Sequence, residues 1–124
     1  MSYTLTIYPA EVMRAIKAGA DWEEVEDVLL EPSAKKRVLT KLGAYGYQLA
    51  HQRDGVSEYE KDFGGFSVQV GVYDTEISFS APYWDGLGAV LPDLRMDVAE
   101  LADAPSLAVY DPQREEWGGD EERS

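Results

Sequence analysis

Few residues in this chain have the type and spacing that chemistry requires. There is no cysteine, so thiolate catalysis, disulfides and Cys-based zinc sites are excluded. His51 is the only histidine. It stands before a turn signal, beside Gln52, Arg53 and Asp54, where a surface role is the plainer reading. No serine lies in a G-x-S-x-G elbow, and no Walker A or G-x-G-x-x-G phosphate loop occurs. A single histidine and no D-x-[DN]-x-[DN]-G loop leave neither a transition-metal set nor a calcium loop. No cofactor and no metal are expected. Carboxylates are plentiful. Glu76 and Asp85 could form an acid/base pair, but nothing selects those two from 24 acidic residues.

The more informative group is mixed. Asp74, Glu76, Tyr83, Trp84 and Asp85 are close in sequence, with Tyr73 beside them. Tyr and Trp anchor protein interfaces, and carboxylates beside them match Arg and Lys on a partner. The plainer alternative is that Tyr83 and Trp84 cap the core at the end of a sheet. A second acidic group, Asp21, Glu23, Glu24, Glu26, Asp27 and Glu31, contains no base. Glu23, Glu26 and Asp27 are its candidate partner-binding residues; the plainer reading is a solvated helix face.

The elements that position these groups follow from periodicity. Phe66, Val68, Val70 and Val72 alternate with polar residues, and after Asp74-Thr75 so do Ile77, Phe79 and Ala81. Such period-2 runs joined by a polar turn predict a β-hairpin with one buried face. A lone hairpin is unstable in water, so other segments must cover it. Tyr3 to Tyr8 alternates as a first strand, and Pro9 opens a short helix stopped by Gly19. Asp21 and Glu24 suggest a capping box for a helix burying Trp22, Val25, Val28 and Leu29. Ser33 suggests the cap of a third helix, about 34–42, whose Lys35, Lys36, Arg37 and Lys41 balance the acids. A strand is expected over about 45–52, with helix as the alternative. Asp54-Gly55 is a hairpin turn signal before a return strand over 56–61. Pro92 can open a last helix burying Leu94, Val98 and Leu101, and Leu107 to Tyr110 reads as a last strand.

The whole is expected to be one α+β domain over residues 1–112. An antiparallel sheet of about five strands carries helices on one face. Residues 113–124 are expected to form an acidic, disordered tail, with Trp117 pinning its start.

Composition narrows the function. The 124 residues, 44% of them hydrophobic, suffice for a core. No signal peptide or membrane-spanning run is read, so the cytoplasm is the default. The net charge of −13 disfavours nucleic acid and anionic membrane as partners and favours a basic protein, approached through electrostatic steering.

Glu76 to Trp84, EISFSAPYW, followed by a helix ending in a small acidic loop and then Ser106 to Gln113, SLAVYDPQ, resembles small bacterial immunity proteins of polymorphic and contact-dependent toxin systems. The resemblance implies a non-enzymatic inhibitor that binds and occludes a cognate toxin domain, and it maps no binding residue. The acidic charge agrees with a basic toxin. The alternatives are a small carboxylate-using enzyme or ligand-binding domain, and a homo-oligomer whose exposed hairpin pairs with its own copy. The inhibitor would be a monomer or a homodimer.

Overall fold

The computed structural model describes residues 2–62, 67–82 and 87–118, with backbone alone at 2, 87–90 and 118. Seven strands form one antiparallel sheet: β1 Ser2–Pro9, β2 Gln48–Arg53, β3 Val56–Asp62, β4 Ser67–Val72, β5 Ile77–Pro82, β6 Leu107–Asp111 and β7 Glu116–Gly118. The spatial order is β2-β3-β4-β5-β1-β6-β7. Four helices accompany it: α1 Ala10–Lys17, α2 Trp22–Val25, α3 Pro32–Ala44 and α4 Leu87–Leu101. The domain is therefore α+β with an antiparallel sheet, and the sheet is two strands wider than about five.

The central hairpin is β4–β5, in the register Val70↔Phe79 and Val72↔Ile77. Its turn is closed by the Tyr73 N–H donating to the Glu76 carbonyl at 2.8 Å. Both strands are flanked, β4 by β3 and β5 by β1, so this hairpin has no edge free to pair with a second copy. Strand alternation sends Leu5, Ile7, Val68, Val70, Val72 and Phe79 to one face, where each is buried. α3 and α4 cover that face with Val38, Leu42, Leu94, Val98 and Leu101. Each such side chain contributes about 1.5–3 kcal/mol by leaving water, which offsets the ordering entropy of the segment carrying it.

Chain direction changes where glycine permits it. After α1, Gly19 takes φ +104. Its N–H donates to the Ile16 carbonyl and that of Ala20 to the Ala15 carbonyl, both at 3.0 Å. Gly46, at φ +91, does the same for α3, with Tyr47 N–H donating to Leu42 at 3.0 Å. Both are Schellman ends, which satisfy the last helical carbonyls. The second resolves the stretch 45–52. The helix runs to Ala44, a turn follows, and the strand begins at Gln48. Tyr47 is then buried, and its hydroxyl donates to Asp97 at 3.2 Å; Lys61 pairs with the same carboxylate at 3.0 Å.

Several local expectations fail for identifiable reasons. The second helix is a single turn, and Asp21 makes no side-chain cap. Glu23, Asp27 and Glu31 would stack like charges at i, i+4 in a longer helix. Instead the Leu30 N–H donates to the Asp74 carbonyl at 2.9 Å, and Leu30 rather than Leu29 is buried. Ser33 lies inside α3, donating to the Glu31 carboxylate, because Pro32 already occupies the first helical position. α4 begins at Leu87, ahead of Pro92, which sits inside it. The sheet also continues past residue 112: β7 pairs with β6 through Tyr110↔Trp117. The sheet therefore runs on to Gly118, past the boundary expected at 112. Residues 119–124 lie outside the described residues.

Candidate functional site

The second face of the sheet carries the polar half of each alternation, with three aromatic exceptions. Tyr8 on β1, Tyr110 on β6 and Trp117 on β7 occupy positions opposite to the core. A short α2, entered from the Gly19 turn, brings Trp22 onto them. The Trp22 ring lies 5.3 Å from Tyr8, 5.1 Å from Tyr110 and 5.9 Å from Trp117, stacked on the last at 20°. Tyr110 and Trp117 are 4.8 Å apart. Four rings at these separations each gain beyond simple burial. Trp22 is nevertheless 40% exposed.

Beside this cluster lies a cleft of about 240 Å³. Tyr8 and Trp22 form its aromatic wall, Val12 and Val25 add apolar surface, and Thr75 and Glu76 come from the β4–β5 turn. Glu23 and Glu26 also line it, and both are exposed. Among the described residues, no lysine or arginine lines it. Glu76 is half-buried, and burial raises its carboxyl pKa above the ordinary value. The Tyr8 hydroxyl is pushed up to about 12, first by burial and then by the Glu76 charge and Tyr110.

The sign of the Glu76 shift gives a test. With its folded pKa above the unfolded one, its stabilising contribution is full below pH 4.5. It is lost as pH rises through the raised value. Glu76→Gln is therefore expected to melt at or above the wild-type temperature at pH 7, with the gap closing on acidification. Thermal unfolding across that pH range checks it; a Gln variant that melts lower at pH 7 contradicts the buried-charge assignment.

Of the residues marked from sequence, the fold brings Glu23, Glu26 and Glu76 to one cleft. Asp74 is separately engaged, its carboxylate paired with Lys35 at 2.9 Å. Asp27 is exposed after α2 and does not line the cleft. Tyr83, Trp84 and Asp85 lie outside the described residues, and so does one half of the Glu76–Asp85 pair. Among the described residues, no group of three or more His, Asp or Glu side chains could hold a metal ion. The aromatic wall itself was missed. Its signal was present, since Tyr8 and Tyr110 fall on the polar phase of strands whose other phase is core.

Fold and site together define a seven-stranded antiparallel α+β domain with an acidic, aromatic-walled cleft on the sheet face opposite the one that α3 and α4 cover. Compared with protein-family models, with curated proteins and with solved structures, the chain matches none. No helix among the described residues is long and apolar enough to cross a membrane.

Proposed function

We propose that this protein is a non-enzymatic binding protein, an immunity protein that neutralises a basic bacterial toxin by occluding it. The observation that carries the reading is the cleft. Among the described residues, its lining holds three carboxylates and no base, and a half-exposed tryptophan stands at its wall. A large aromatic with nearby carboxylates is what an interface needs to anchor a cationic partner. The overall charge of −13 would raise the encounter rate with such a partner.

The mechanism is steric and electrostatic. A partner covering Trp22 and the rim glutamates would bury about 800 Å² on each side, enough to block an active site on the toxin. The test is inhibition of the protein encoded by the adjacent reading frame. That product is expected to be toxic when expressed alone, harmless when co-expressed with this chain, and recoverable with it as a complex. A toxic product left unaffected by excess of this chain, or an innocuous one, overturns the reading.

A further inference from the structure

We propose that the cleft receives a single arginine side chain of the basic partner, its guanidinium laid against Trp22 and Tyr8 and paired with Glu76. The inference rests on the basic-partner reading and names the group recognised.

Size comes first. At about 240 Å³ the cleft falls below the range of roughly 300–1,000 Å³ usual for small-molecule sites, and it suits one long side chain. Charge comes second: among the described residues Glu23, Glu26 and Glu76 line it and no base does, so an anion is repelled and a neutral group leaves the carboxylates unpaired. Glu76 is half-buried, and no hydrogen bond or ion pair engages its carboxylate among the described residues. A partly desolvated carboxylate without a donor is a standing cost that an incoming cation relieves.

Shape separates arginine from lysine. The wall is built of flat rings, and Trp22 is held by Tyr8, Tyr110 and Trp117 around it. It is therefore oriented before anything binds, which lowers the ordering cost of association. A guanidinium is planar and weakly hydrated, stacks on such faces and offers a donor fork to a carboxylate; an ammonium is a compact, strongly hydrated point charge. The rim separates a peptide from a free amino acid. Glu23 and Glu26 are exposed at the cleft and would repel the α-carboxylate of free arginine, whereas a peptide arginine brings none.

The test uses the full chain and four probes: N-acetyl-arginine amide, its lysine and citrulline counterparts, and free arginine. The Trp22 indole resonance reports binding. Arginine amide is expected to shift it saturably, the lysine probe and free arginine more weakly, and neutral citrulline not at all. Glu76→Gln, which keeps the shape, is expected to weaken the arginine probe about fivefold or more, the loss of one charge-assisted bond. A citrulline response equal to that of arginine, or an unmoved Trp22 signal, overturns the assignment. Two outcomes separate this inference from the broader reading. Undiminished partner binding by Glu76→Gln together with Trp22→Phe overturns the cleft alone. Arginine-amide binding by a chain that inhibits no toxin overturns the immunity role alone.

Discussion

Asp111→Ala is expected to destabilise the fold by about 3–5 kcal/mol, the range for removing one partner of a buried charged network. Against a total stability of about 5–15 kcal/mol for a domain, that leaves the variant marginal or unfolded. Asp111 is buried at the end of β6. Its Oδ2 accepts from the Tyr3 hydroxyl at 2.5 Å and lies 3.5 Å from Arg95. Its Oδ1 accepts from the Gln113 side-chain amide at 2.6 Å, the Gln113 N–H at 3.1 Å and the Arg114 N–H at 3.3 Å. Arg95, on α4, also donates to the Tyr3 hydroxyl. One carboxylate thus joins β1, α4 and the turn leading into β7.

The same network extends the sheet. Strand pairing between β1 and β6 runs from Thr6↔Tyr110 to Pro9↔Leu107, so Thr4 has no strand partner on that side. The Gln113 side chain takes the vacant place. It accepts from the Thr4 N–H at 2.6 Å and donates to the Thr4 carbonyl at 2.8 Å, as a paired backbone would. Without Asp111 this amide loses its orientation, Arg95 loses its counter-charge, and the Tyr3 hydroxyl loses its acceptor. Urea unfolding measures the loss as a lower midpoint at an unchanged slope. A change below about 1 kcal/mol, the ordinary value of one exposed pair, would show that the network is dispensable.

Glu23→Lys with Glu26→Lys is expected to slow association with the basic partner at least about tenfold at low salt, within the range over which steering changes on-rates. Both side chains are exposed, so the reversal should leave stability nearly unchanged. The effect belongs in the association rate rather than the dissociation rate, because rim charges act mainly before contact. Asp27→Lys is expected to do less, since Asp27 stands outside the cleft. Asp74→Lys is a poor probe of docking, because it also breaks the Lys35 pair.

The two halves of the structure differ in how openly the chain announces them. The β4–β5 hairpin was legible because Val68, Val70, Val72, Ile77 and Phe79 keep strict alternation, and a register slip would turn all of them to solvent. The buried positions of α4, Leu94, Val98 and Leu101, followed from helical spacing. β7 was hidden because three residues among glycines and acids carry no periodicity, and Trp117 is held by rings from β1, α2 and β6. The length of α2 was misjudged because local spacing favoured a helix, while the Leu30–Asp74 backbone bond belongs to tertiary structure. Glu23, Glu26 and Glu76 stood out as acids. Their meeting did not, because it depends on β1 inserting between β5 and β6, which places Tyr8 between α2 and the β4–β5 turn.

The measurement that bears most directly on the acidic cleft as a gripping surface is the rate of association with the adjacent-gene protein as ionic strength rises. The wild-type rate should fall steeply with salt, and the Glu23→Lys, Glu26→Lys variant should start slower and respond far less. Wild-type and variant rates that coincide at low salt, both indifferent to added salt, would contradict the account.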